Sequence, residues 1–182
     1  MRVRSEAGFS YIDVMIAIVI LMVGILALMS GLAGAVLRSK GQEQQLAAKQ
    51  IAASTMESIM SVKETDTATM GWMAVGNVGS NLDPLNNPHG IFVTGLQNVR
   101  ADAGPDEVMG TADDSGAVLN GFQRQIVITD ICDPERPSAN CPTPGDLPIM
   151  MRTVDITVTY FLGQQVNQER ISTVLTDYSL PN

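Results

Sequence analysis

A run of 24 uncharged residues near the N-terminus, from Val14 to Leu37, limits the fold of this chain more than any other feature. As a helix rising about 1.5 Å per residue, the run spans roughly 36 Å. That length is enough to cross a bilayer core about 30 Å thick. Arg2 and Arg4 precede the run, and basic residues before a single span keep the N-terminus in the cytoplasm. The sequence therefore predicts a membrane-spanning helix with the rest of the chain on the opposite side.

Two ordinary interpretations of this segment leave one residue unexplained. The first is a signal anchor. The second is a secretory signal peptide cleaved after Ala33-Gly34-Ala35, although the apolar cores of such peptides run about 7–15 residues and this one is longer. Neither accounts for Asp13, because a carboxylate at the start of an apolar helix is costly unless it has a partner.

The string from Gly8 to Val14 resembles the class III signal of type IV pilins and pseudopilins, in combination with the short basic leader and the uncharged run. The resemblance implies that a prepilin peptidase cleaves after Gly8, that Phe9 becomes the N-methylated first residue, and that the apolar helix is retained. Asp13 would then be the fifth mature residue, where the family has an acid, usually Glu. The family implies an assembly charge pair between this carboxylate and the α-amine of Phe9 in a neighbouring subunit.

Within that family, the chain looks closest to minor pilins of the pilus modification class, and it is also similar to minor pseudopilins of type II secretion. The resemblance implies other pilin subunits, the prepilin peptidase and the inner-membrane assembly machinery as partners. It places the chain in a bacterial inner membrane as a single-pass protein with a periplasmic domain, and then in a filament at the cell surface or in the periplasm. The rival interpretation is a signal-anchored or secreted extracytoplasmic binding domain that does not polymerise.

The sequence after the apolar run predicts an α+β fold. Residues 1–8 are the leader, and residues 9–37 are the membrane or filament-core helix. Residues 38–63 continue it as an amphipathic helix, because good helix formers surround a set of apolar or small residues at helical spacing. That set is Ala48, Ile51, Ala52, Thr55, Ile59 and Val62.

Residues 64–120 are rich in turn-forming residues and are predicted to be a variable loop region with a short strand at Ile91–Thr94. Residues 121–182 are predicted to form an antiparallel sheet that packs on the long helix, which is the pilin-like architecture. Its three predicted strands are Gly121–Asp130, Met150–Leu162 and Glu169–Tyr178.

Cys132 and Cys141 are the two cysteines of the chain, and a proline-containing loop separates them. Disulfides form in oxidising compartments. If the domain lies outside the cytoplasm, the sequence predicts a disulfide between them, and two unpaired thiols are the alternative.

An acidic, turn-rich stretch contains five carboxylates that suit Ca²⁺, a cation that takes six to eight oxygen ligands. The spacing is not that of an EF-hand, and a solvated loop is the alternative to a calcium site. The five residues are Asp102, Asp106, Glu107, Asp113 and Asp114.

The composition bears on two further classes of function. The net charge of −8 does not favour nucleic-acid binding, which depends on Lys and Arg at phosphates. With one histidine, no phosphate loop and no nucleophile motif, the chain is not expected to be an enzyme or, calcium apart, to need a cofactor.

Overall fold

A computed structural model describes residues 10–65, 69–83, 85–132 and 149–177. One long helix and four strands make up its regular structure, and a short 3₁₀ turn follows the helix at Trp72–Ala74. The elements are α1 (Tyr11–Glu64), β1 (Leu96–Asp102), β2 (Ser115–Asp130), β3 (Met151–Leu162) and β4 (Gln165–Thr176). The α+β class predicted from the sequence is confirmed.

The chain divides into two compact units, Met1–Glu43 and Gln44–Asn182. In the first unit, the described residues from Tyr11 onward belong to α1, and most of them are apolar. In the second unit, the last part of α1 covers a four-stranded antiparallel sheet of order β1-β2-β3-β4.

The core of the second unit lies between α1 and one face of the sheet. From the helix, Ala48, Ala52, Met56, Ile59 and Val62 are buried, at intervals that place them on one face of α1. From the sheet and the loops, the cluster contains Ala74, Val75, Phe92, Val108, Ile126, Val154, Ile156, Val158, Tyr160 and Leu175.

The alternation of side chains along the strands decides which residues face the helix. Ile126 of β2 pairs with Ile156 of β3, which pairs with Ile171 of β4, so these three isoleucines lie on the same face. Between β2 and β3 the nine pairs from Phe122↔Tyr160 to Asp130↔Arg152 are in unbroken register. The opposite face carries Thr and Gln side chains together with exposed apolar side chains, among them Val127, Phe161 and Val174.

The sheet is larger than the sequence predicted. β1 falls in the segment predicted to be loop, β2 begins at Ser115 rather than Gly121, and β4 begins at Gln165 rather than Glu169. The short strand predicted at Ile91–Thr94 is a single bridge between Phe92 and Asn77 instead. The physical reason is that β1 is an edge strand with one buried side chain, Val99, so its sequence carries little apolar alternation.

The buried arginine Arg152 holds the residues after α1 against the sheet. Arg152 is 3% exposed, donates to Asp130 Oδ1 at 2.9 Å and lies 4.4 Å from the centre of the Trp72 ring. It also donates to the backbone carbonyls of Trp72 and Val75. Burial lowers the pKa of the Arg152 guanidinium, and the hydrogen bond to Asp130 opposes that shift. The residues after α1 are thereby attached to β3.

Candidate assembly segment and acidic loop

Asp13 lies in the first turn of α1. Its Oδ2 accepts a hydrogen bond from the backbone N–H of Ser10 at 3.3 Å, while its own N–H donates to the carbonyl of Ser10 at 3.0 Å. A carboxylate in this position satisfies one of the free N–H groups of a helix start and interacts favourably with the helix dipole. Asp13 therefore has a local role at the start of the helix in addition to any role between subunits.

Gly8 and Phe9, the predicted processing residues, lie outside the described residues. The predicted cleavage, the N-methylation and the charge pair of Phe9 with Asp13 consequently stay predictions.

The apolar part of α1 has its side chains exposed. Every large apolar side chain from Tyr11 to Leu37 is exposed, with fractions that range from 47% for Val14 to 78% for Tyr11. By length and composition, α1 is long and apolar enough to cross a membrane, and none of its most apolar 18-residue window is buried within the chain. An apolar surface of this length requires cover from lipid or from other chains.

The five candidate calcium ligands lie around the turn between β1 and β2, where four of the carboxylates accept hydrogen bonds from the protein. Asp102 Oδ1 accepts from the N–H of Gly104 at 3.0 Å, and Asp106 Oδ1 accepts from the N–H of Val108 at 2.8 Å. These are the short-range contacts by which aspartates stabilise turns. Glu107 is exposed and adopts a positive φ of 57°.

Asp106 and Asp113 are neighbours within this turn. Asp113 Oδ2 accepts the backbone N–H of Asp106 at 3.2 Å, and Asp113 Oδ1 accepts the hydroxyl of Thr111 at 2.5 Å. The Thr111 hydroxyl holds the pKa of Asp113 below its ordinary value, whereas burial raises the pKa of Asp106. The two carboxyl groups thus have unlike environments.

Asp114 forms an ion pair with Arg124. Its Oδ2 lies 2.7 Å from Nη2 of Arg124, and its two oxygens accept the N–H of Gly110 at 3.0 and 3.1 Å. The Asp114 and Arg124 side chains are 8% and 4% exposed. Within the described ranges, no group of three or more His, Cys, Asp or Glu side chains is arranged to hold a metal ion. Calcium binding at this turn stays a prediction.

Arg124 was missed by the sequence reasoning, although a signal for it exists. In β2 it shares the inward face with Ile126 and Ile128, and a charged residue at an inward position requires a buried partner. Its second partner is Thr55 of α1, whose hydroxyl accepts from Nη1 at 3.1 Å.

Cys132 follows β2, and Cys141 lies outside the described residues. The predicted Cys132–Cys141 disulfide therefore stays a prediction.

Comparisons with models of protein families, with curated proteins and with solved structures gave no match.

Proposed function

We propose that this chain is a minor subunit of a type IV pilus, processed after Gly8 and assembled through α1. One observation carries the proposal, namely that the two parts of α1 have different surroundings. Its first part exposes an apolar surface with an acid in the first turn, and its last part supplies one side of a folded core.

The exposed part of α1 is suited to two successive environments. Before assembly, a bilayer would cover its apolar side chains. In a filament, the corresponding helices of neighbouring subunits would replace the lipid. The exchange costs little hydrophobic free energy, because lipid tails and apolar side chains are similar in polarity.

Asp13 would select the position of each new subunit. Cleavage after Gly8 creates an α-ammonium group at Phe9, four residues before Asp13. In a surrounding of low dielectric constant, an unpaired carboxylate is costly and opposite charges attract strongly. Pairing Asp13 with the amine of a neighbouring subunit would relieve both charges at once.

The folded unit would serve as the surface of the subunit and not as a catalyst. Its two buried arginines, Arg124 paired with Asp114 and Arg152 paired with Asp130, hold the loops to the sheet. We therefore assign the chain a structural role without a required cofactor. A minor pseudopilin of a type II secretion system would use the same helix in the same way, and the location of the filament distinguishes the two.

The test is the N-terminus and the fate of the chain in its native host. Mass spectrometry of envelope and sheared-filament fractions should find a chain that begins at N-methylated Phe9. Asp13→Ala should be processed yet lost from the filament fraction by about tenfold or more, because it leaves the amine unpaired. Asp13→Glu, which keeps the charge, should still be incorporated.

Two results would overturn the proposal, and a third would remove one part of its mechanism. An intact Met1 would identify a signal anchor, and a start at Val36 would identify a conventionally secreted domain. Normal incorporation of Asp13→Ala would remove the charge pair from the assembly mechanism.

A further inference from the structure

β2 contains an Asn-Gly pair, Asn120 followed by Gly121, and nowhere else in the sequence does glycine follow asparagine. A glycine has no Cβ to shield its backbone nitrogen, so this nitrogen can reach the side-chain carbonyl carbon of the asparagine before it. Two groups of one molecule react much faster than the same groups on separate molecules, provided that the chain lets them meet. The reaction of this pair in the folded chain therefore depends on how β2 holds it.

The pair lies in a bulge of β2, where the pairing of the strands is interrupted. Residues 119–122 of β2 stand opposite a single residue of β1, Val99, because the register of the two strands shifts there. On its other side, β2 pairs with β3 from Phe122 onward. Within the described ranges, Asn120 and Gly121 consequently have no Cα partner in either neighbouring strand. A bulge of this kind leaves its extra residues outside the ladder of hydrogen bonds.

The surroundings of the pair are open as well. Gly121 adopts a positive φ of 87°, and a Cβ placed there would meet no atom within 4 Å. Asn120 is exposed, and in the part of the chain that the structure describes its side chain makes no hydrogen bond. By contrast, the side chain of Asn77 donates to two backbone carbonyls at 2.9 and 3.3 Å and accepts a backbone N–H at 2.8 Å. The amide of Asn120 is thus free to turn toward the nitrogen of Gly121.

We propose that Asn120 and Gly121 form a site of spontaneous chemical modification in the folded chain. The backbone nitrogen of Gly121 gives up its proton to solvent and attacks the side-chain carbonyl carbon of Asn120. The new C–N bond closes a succinimide ring, and the side-chain NH₂ takes a proton from solvent and leaves as ammonia. Water then adds to one of the two ring carbonyls and opens the ring. The product is an aspartate, linked to Gly121 through its α- or its β-carboxyl group, with one negative charge more than asparagine.

The same bulge allows the fold to accept the product. The β-linked form places one additional carbon in the main chain, which inside a regular ladder would disturb the register of the strand. Here the additional atom falls before the unbroken pairs with β3 that begin at Phe122. The second unit should therefore keep its fold after the reaction. The modification concerns this unit alone and is independent of the filament role.

The experiment incubates the full chain in detergent micelles at neutral and at mildly alkaline pH, and samples are digested with trypsin over time. Tryptic peptide 101–124 contains Asn120 and no other asparagine, so its gain in mass on conversion of amide to acid reports this residue. A protease that cleaves at α-linked aspartate distinguishes the two products. Asn98 and Asn167 are the controls within the chain, because both have strand partners and neither precedes a glycine.

The reference is a synthetic peptide of residues 115–125, in which no fold restrains the pair. In the full chain, Asn120 should convert at a rate within about tenfold of that in the peptide, because little local opening is required. It should convert about tenfold faster than Asn98 and Asn167, whose strands must open first. The rate should rise with pH, since the attacking nitrogen has to lose its proton. Circular dichroism melting of the incubated chain checks that the reacting protein is folded.

The variant Asn120→Gln tests the assignment, because its longer side chain does not form the succinimide ring. The mass gain of peptide 101–124 should disappear in this variant, and a gain that persists would overturn the proposal by assigning the reaction to another residue. A rate in the folded chain more than about tenfold below that of the peptide would show that the fold protects the pair. Conversion of Asn98 or Asn167 as fast as that of Asn120 would equally refute a role for the bulge.

Discussion

At the scale of single residues, the pair of Asp114 and Arg124 illustrates the cost of burying charge. Both side chains are at least nine-tenths buried, and each has a neutral partner besides the other, the N–H of Gly110 for Asp114 and the hydroxyl of Thr55 for Arg124. Such a pair is not strongly stabilising as a whole, because desolvation offsets much of the attraction. Removing one member of the pair is strongly destabilising, because the other charge then remains buried without a partner.

The first prediction follows from that asymmetry. Asp114→Asn should lower the free energy of unfolding by about 3–5 kcal/mol, because it leaves the Arg124 guanidinium without a counter-charge. The double variant Asp114→Asn with Arg124→Met should lose less than the single one. Chemical denaturation of the full chain in detergent micelles measures both. Asp102→Asn is the matched control, because its Asx-turn acceptor survives, and a loss there as large as that of Asp114→Asn would contradict the argument.

Asp83 gives a prediction about pH. Its Oδ1 accepts the N–H groups of Leu85 and Asn87, both at 2.8 Å, and its Oδ2 accepts Nδ2 of Asn87 at 3.0 Å and contacts Nε2 of His89 at 3.2 Å. These hydrogen bonds, first of all that from the Asn87 side chain, hold the pKa of Asp83 well below its ordinary value of 3.8. Because the pKa is lower in the folded chain, the stabilisation is present above about pH 4 and is lost as the pH falls through the folded pKa.

Asp83→Asn should therefore melt at a lower temperature than the wild type at pH 7, and the difference should narrow as the pH falls below about 4. Asn87→Ala, which removes one donor, should change the acid profile in the same direction by a smaller amount. Melting temperatures between pH 2 and pH 7 test this expectation. Melting curves of wild type and Asp83→Asn that stay parallel over the whole range would refute it.

At the scale of elements, the last part of α1 is the element on which the second unit depends. Its buried face consists of small and apolar residues, and Ile59 and Val62 are completely buried. Gln45 adds a hydrogen bond from Nε2 to Oε1 of Glu169 in β4 at 2.7 Å, and the hydroxyl of Ser58 accepts the N–H of Met109 at 3.3 Å. The helix thus contacts both the sheet and the turn between β1 and β2.

Neighbouring positions on this helix should respond very differently to truncation. Ile59→Ala should cost about 2–5 kcal/mol of unfolding free energy, because it opens a cavity between α1 and the sheet. Met60→Ala, at a position that is 41% exposed, should cost less than about 1 kcal/mol. Denaturation of both variants under the same conditions gives the comparison, and equal losses would show that this face of α1 is not part of the core.

Much of this fold was open to prediction because its periodicity is strong. The alternation of Val154, Ile156, Val158 and Tyr160 predicted both a strand and its inward face, and all four are buried. β1 has no such alternation, since Val99 is its one buried residue. Pairing with β2, a tertiary interaction, makes β1 a strand, and local sequence carries little record of it.

The acidic turn shows the corresponding limit for a site. Five nearby carboxylates suggested a calcium site. The sequence does not show that a cationic side chain, that of Arg124, lies beside one of them after folding. Arg124 lies ten positions beyond Asp114, and only the folding of the turn between β1 and β2 against β2 brings the two side chains together. The inward position of Arg124 could be recognised from the sequence, and it predicted a carboxylate partner. The sequence did not show which carboxylate this would be.

At the scale of the whole molecule, the two units differ in what stabilises them. Every residue of the buried core lies at Ala48 or later, so the second unit contains its own core. The first unit contributes no buried large side chain among its described residues and has to be covered by lipid or by other chains. The part of α1 that supplies the core is thus distinct from the exposed apolar part that we propose for assembly.

This separation predicts that residues 44–182 fold without the apolar segment. The fragment keeps Ala48, the Gln45–Glu169 hydrogen bond and the Thr55 contact of Arg124. We expect it to be soluble without detergent, because it lacks the exposed apolar surface, and to unfold cooperatively with a Tm within about 5 °C of the full chain. A shorter fragment, 57–182, lacks four of the six buried residues of α1 and leaves Arg124 without its hydroxyl partner, so it should not unfold cooperatively.

Circular dichroism melting and gel filtration of the two fragments measure these differences. If fragment 44–182 aggregated or melted without cooperativity, the apolar segment would be required for folding, in contradiction of the proposed separation. If fragment 57–182 were as stable as 44–182, the early part of the buried helical face would be dispensable. The expected result, a stable longer fragment and an unstable shorter one, would show that the part of α1 required for folding begins between Gln44 and Met56.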